Sequence, residues 1–130
     1  MNENAFDKRN EASVTEKVRV ISLLYEGAMN FNKTAKKKCE QGDSAGKALY
    51  IKKVSAIIRE LSNSLNMDAG ELSNNLKNLY EFIHQRLAHA ESNDDAQAFD
   101  DVEKVLGILS DGWREVETGS ISNTPSMNQL

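Results

Sequence analysis

A chain of 130 residues with a formal net charge of −4 fits one domain around a single core. Its mild acidity excludes a general nucleic-acid binder, which needs a basic face to neutralise phosphates. The lone cysteine, Cys39, excludes an internal disulfide and suits a reducing compartment, and no apolar run approaches the roughly 18 residues of a membrane span.

Taken in order, residues 1–12 read as a flexible arm, polar apart from Ala5 and Phe6. An isolated aromatic in such an arm either docks by its one side chain or marks plain disorder. A first helix is expected from about Thr15 to Glu40, with Thr15 or Ser13 as its cap. Its stripe is Val18, Ile21, Tyr25, Ala28, Ala35 and Cys39. Val20, Leu24 and Phe31 widen the stripe on one side and Met29 on the other, to an arc of roughly 180° against the roughly 100° of an ordinary surface helix. Leu23 lies outside even that arc. Gly27, mid-helix at a cost of about 1 kcal/mol relative to Ala, implies close approach by another backbone. Lys36, Lys37 and Lys38 crowd the last turn, where they favour the helix dipole. Cys39, on the apolar face, reads as a buried thiol.

Gly42 stops the first helix, and Asp43 or Ser44 caps a second. That helix carries Ile51, Val54, Ile58, Leu61 and Leu65 inward, with Tyr50 and Ile57 on one shoulder and Leu49 pointing well away. Asp68 and Gly70 supply a tight turn. The third helix follows with Leu72, Leu76, Leu79, Ile83 and Leu87, flanked by Tyr80 and Phe82. Asp94 and Asp95 read as caps at the start of a fourth helix rather than as a metal site. Ala98, Val102, Val105, Leu106, Leu109, Trp113 and Val116 form its narrow stripe of roughly 120°. From Gly119 the composition is that of a flexible tail. Valines and isoleucines do not alternate with polar residues, and the single proline, Pro125, lies in that tail. The expected fold is therefore all-α, an antiparallel up-down four-helix bundle over residues 13–117 with a tail at 118–130. With no signal peptide at the start, a cytoplasmic location is expected, and the sequon Asn32-Lys33-Thr34 carries no weight outside a secreted protein.

Catalytic chemistry finds no support. A di-iron site in such a bundle needs two Glu-x-x-His motifs. Glu81 and His84 supply the spacing once, on the polar side of the third helix, and Arg86 stands where His89 would need its Glu. There is no phosphate loop and no nucleophile elbow. No enzyme, metal or cofactor is expected. What remains is apolar surface in excess of what four stripes need: Val20, Leu23, Phe31, Leu49, Tyr50, Ile57, Tyr80 and Phe82. Such a surplus marks a partner site, either for a foreign helix or for a homodimeric structural or adaptor bundle.

Leu24-Tyr25-Glu26-Gly27-Ala28, then Ile57-Ile58-Arg59-Glu60-Leu61 with Ser64-Leu65-Asn66, then Asn75-Leu76 with Leu79-Tyr80, resemble the flagellar secretion chaperones of the FliS family. The likeness runs from about Ser13 to Val116. It implies a cytosolic helical bundle that binds the C-terminal segment of flagellin, keeps it from polymerising and helps deliver it to the export gate of the flagellar type III apparatus. The bound segment is then expected to wrap the bundle, partly as helices in surface grooves. Phe6 stands where the family carries an aromatic, usually Tyr, that lies over the groove when flagellin is absent. The Ser/Thr-Pro pair that commonly starts the family's first helix is missing between Val14 and Val18, which leaves that helix free to begin earlier. The expected partner-binding residues are Phe6, Val20, Leu23, Tyr50, Ile57, Leu65, Leu72, Leu76, Tyr80 and Phe82.

Overall fold

The computed structural model describes the backbone of residues 2–65 and 70–118 and the side chains of residues 15–65 and 70–115. Within them the chain forms α1 (Asn2–Glu40), α2 (Ser44–Asn63), α3 (Glu71–Asn93) and α4 (Ala96–Thr118), with no strand. α1 packs on α2 and α4, and α3 packs on the same two helices. α1 and α3 therefore stand at opposite corners of a square, and the short connections make neighbours antiparallel.

Four heptad seams fill the interior. The buried residues of α2 are Lys47, Ile51, Val54, Ile58 and Leu61, and those of α3 are Ser73, Leu76, Tyr80, Ile83, Leu87 and Ala90. Both sets advance by alternating threes and fours, which keeps one face against its neighbours as in coiled coils. α1 contributes Val18, Ser22, Tyr25, Ala28, Asn32 and Ala35; α4 contributes Ala98, Phe99, Val102, Leu106, Ser110 and Trp113.

The helix ends follow side-chain chemistry. Gly42, at φ 73°, turns the chain out of α1 in the left-handed region. The Asp43 carboxylate then accepts the Gly46 N–H at 2.8 Å and opens α2. Asp94, also left-handed, ends α3, and the Asp95 carboxylate accepts the Gln97 N–H at 3.1 Å. The acidic pair is thus split: Asp95 caps α4 as expected, whereas Asp94 closes α3.

Four expectations need correction. α1 begins at Asn2 rather than near Thr15; residues 2–14 contain neither Pro nor Gly and are rich in Ala, Glu, Lys and Arg, so nothing stops the helix from extending. Leu79 is exposed, while Tyr80 takes the seam position at 3 % exposure. The seam steps from Leu76 to Tyr80 to Ile83, and a tyrosine can be buried there because its hydroxyl meets that of Tyr25, 2.5 Å away across the bundle. Leu76, at 6 % exposure, is likewise core. Leu76 and Tyr80, both expected at a partner site, are thus part of the core of the free chain. Gly27 admits no foreign backbone: a Cβ there would meet only the Ile57 Cδ1, at an ordinary 3.5 Å.

Phe6, the caps at Ser13 and Thr15 as a helix start, Val116 and the tail from Gly119 involve side chains or segments outside the described residues, apart from Thr15, which is exposed within α1. Asn32 is buried, and its side-chain amide donates to the Phe99 carbonyl at 2.9 Å. That contact occupies the nitrogen a glycan would need.

Candidate docking surfaces

The four junctions between neighbouring helices alternate in character. Ion pairs cross the α1–α4 junction: Lys36 to Asp100 at 2.7 Å, Arg114 to Glu26 at 3.5 Å and Lys33 to Glu103 at 3.8 Å. The α2–α3 junction is polar too. Lys47, although buried, directs its ammonium at the C-terminal end of α3, donating to the Glu91 carbonyl at 2.9 Å, the Ala90 carbonyl at 3.4 Å and the Asp94 carboxylate. Further along, burial and the guanidinium of Arg59 hold the His84 pKa below its ordinary value, against a smaller opposing effect of Glu81. Charged side chains thus lie along both of these junctions.

The remaining two junctions have apolar outer edges. Between α1 and α2, Gly27 lies opposite Ile57, and the rings of Phe31 and Tyr50 meet with centroids 6.0 Å apart. The Lys53 ammonium sits 5.2 Å from the Phe31 centroid and 5.5 Å from that of Tyr50, a contact worth about 0.5–1 kcal/mol at an exposed site. Leu24, Phe31, Tyr50 and Ile57 are half-buried and form a floor. Val20 and Leu49 remain exposed above it, and Leu23, at 56 %, projects from the outer face of α1. Gly27 keeps this floor low, because any larger residue would rise between Leu24 and Phe31.

Between α3 and α4, Arg86 pairs with Asp101 at 3.0 Å and Asp95 at 3.9 Å. In an antiparallel pair this sets Phe82 level with Val105, and Leu79 level with Ile108. Leu79, Phe82 and Ile108 are all exposed, the last at 66 %, while Leu72, Val105 and Leu109 are half-buried beneath them. A contiguous apolar edge of this kind differs from the isolated exposed side chains of an ordinary surface.

Of the residues expected at a partner site, Val20, Tyr50 and Ile57 fall on the α1–α2 side, Leu23 stands apart on the outer face of α1, and Leu65 is half-buried just beyond the end of α2. Leu72 and Phe82 fall on the α3–α4 edge. Ile108 is not among the expected residues; its signal in the sequence is an isoleucine lying off the narrow core stripe of α4. Among the described residues no cluster of His, Cys, Asp and Glu could hold a metal ion, and no helix is long and apolar enough to cross a membrane.

The sequence matches the family described as Flagellar protein FliS over residues 1–120. The chain belongs to the FliS family. Among FliS relatives, it is 32% identical over 100 residues to the flagellar secretion chaperone FliS of Salmonella typhimurium, covering 75% of this chain and 74% of that one. It is 33% identical over 116 residues to the flagellar secretion chaperone FliS of Campylobacter jejuni, covering 87% and 88%. The flagellar secretion chaperone FliSB of Pseudomonas aeruginosa is 32% identical over 96 residues, covering 73% and 76%. The α1–α2 groove is built from the segments that first carried the FliS resemblance, Leu24 to Ala28 and Ile57 to Leu61.

Proposed function

We propose that this chain is a cytoplasmic, non-enzymatic export chaperone that holds the C-terminal segment of flagellin, prevents its premature polymerisation and assists its delivery to a component of the flagellar type III export gate. The observation that carries the reading is the α1–α2 groove, where Val20, Leu49, Phe31, Tyr50 and Ile57 leave apolar surface in water although the bundle's core is filled. An amphipathic client helix laid along it would bury its own apolar face there. Ordering a disordered segment costs about 2–5 kcal/mol, and burial returns about 25 cal/mol per Å². Several hundred Å² of added apolar contact therefore suffices. Such binding yields when the client finds a larger apolar interface, as in a growing filament.

Calorimetry with a C-terminal flagellin segment tests this. Binding at micromolar concentration or tighter is expected, weakened about tenfold or more by Leu49→Ser combined with Val20→Ser. Absence of binding at micromolar concentration rejects the proposal. Phe6, in the role of a groove cover, gives Phe6→Ala equal or tighter client binding in the same experiment; a strong loss would make Phe6 a client contact instead. A stable dimer of the free chain in light scattering would favour a homodimeric adaptor, with the groove filled by a second copy.

A further inference from the structure

The two apolar edges sit in opposite electrostatic surroundings. Residues 15–65, which form most of α1 and all of α2, hold ten Lys and Arg against five Asp and Glu; residues 70–118, which form α3 and α4, hold four against eleven. Along the α3–α4 edge, Asp111 follows Ile108 by one helical turn, Glu115 by two, and Asp101 precedes it by two. Glu71 stands beside Leu72 at the start of α3. The cations nearby are Arg86, engaged by Asp95 and Asp101, Arg114, which pairs with Asp111 at 3.7 Å and with Glu26 at 3.5 Å, and Lys104.

We propose that the α3–α4 edge is a second docking surface, separate from the client groove, whose occupant is an amphipathic helix with its apolar stripe bordered by Lys and Arg. The shape argues for a helix. Leu72, Leu79 and Phe82 on one wall and Val105 and Ile108 on the other recur at helical spacing along a shallow channel, and anchors at i, i+3 or i+4, and i+7 match them. The charge argues for its borders. A stripe flanked by carboxylates would meet the net negative charge of residues 70–118 with like sign, whereas Lys and Arg would be drawn in from solution by it. On the α1–α2 side, where the Lys53 ammonium lies over the Phe31 and Tyr50 rings, the preference is reversed. The ion pairs across the α1–α4 junction keep the two environments apart.

The test uses the full chain and two synthetic helical peptides of about five turns. Both carry the same leucine stripe, one bordered by Lys and Arg, the other by Glu. Fluorescence anisotropy on the labelled basic peptide is expected to show binding that weakens with added salt. That binding falls about tenfold or more in Ile108→Ser, and falls clearly in Asp111→Lys, while Leu49→Ser leaves it unchanged. Both substituted side chains on α4 are exposed, so circular dichroism should show intact folds. The Glu-bordered peptide is expected to be insensitive to Ile108→Ser. Equal affinity of the basic peptide for the parent chain and Ile108→Ser overturns the proposal. So does its displacement by the flagellin segment, which would make the edge part of the client groove. Self-association abolished by Ile108→Ser also overturns it, since a second copy would then be the occupant. Failure of the flagellin segment to bind at all would reject the chaperone reading and leave this one standing.

Discussion

Tyr25 and Tyr80 each depend on the other's hydroxyl. Burial pushes both phenols above their ordinary pKa, so both stay protonated. Their hydroxyls share one hydrogen bond, in which either can donate. Tyr80→Phe or Tyr25→Phe leaves the other hydroxyl buried without that partner, at an expected cost of about 1–3 kcal/mol in urea unfolding. The double substitution should cost less than the two singles together, because fewer orphaned groups remain. His84 gives a dependence on pH with a definite sign. Its folded pKa lies below its ordinary 6.5 through burial and Arg59, so as pH falls the unfolded chain takes up the proton first. Stability is expected to drop as pH falls from about 7 toward 5. His84→Gln should flatten that part of the melting-temperature profile, and an unchanged profile would remove His84 from the account.

At the scale of the helix, Lys47 joins the start of α2 to the end of α3 by satisfying carbonyls that the helix cannot satisfy itself. Lys47→Met keeps the stem and removes those bonds, with an expected loss of about 1–3 kcal/mol and faster hydrogen exchange in the last turn of α3. Gly27→Ala should act in the other direction. With only the Ile57 side chain at contact distance, alanine gains up to about 1 kcal/mol of helix propensity, read as a higher melting temperature. A lower one would show the site to be tighter than the 3.5 Å contact implies. The four helices and the caps at Gly42, Asp43 and Asp95 were legible in the sequence, because apolar spacing and cap chemistry are local signals. The start of α1 was not, since Ser13 and Thr15 look like caps whether or not a helix runs past them. Leu79 and Tyr80 exchanged roles for a different reason: a leucine reads as core by composition, but the seam advances by 3.5 residues and selects its neighbour.

Seen whole, the molecule is two helical hairpins of opposite charge, joined through polar junctions and bare along the outer edge of each hairpin. The surplus of apolar residues on the first three helices was legible, and Val20, Leu23 and Leu49 do stand in solvent. Which member of the surplus was covered was not, because Tyr80, which is core, has the same chemistry as Tyr50, which is half-buried. Ser22, Asn32, Ser73 and Ser110 were invisible as interior residues for the converse reason. Those interior polar groups have an effect at a distance. Seams that repeat every seven residues would let one rod slide along another by about 10 Å with greasy neighbours still meeting greasy neighbours. After such a slide, the Asn32 amide would leave the Phe99 carbonyl, and the two phenols would part. These bonds act as detents: both start on α1, one reaching α3 and the other α4, so together they hold the two walls of the α3–α4 edge in step. A variant whose interior was made uniformly oily would gain apolar contact, yet the walls of that edge would lose their fixed spacing.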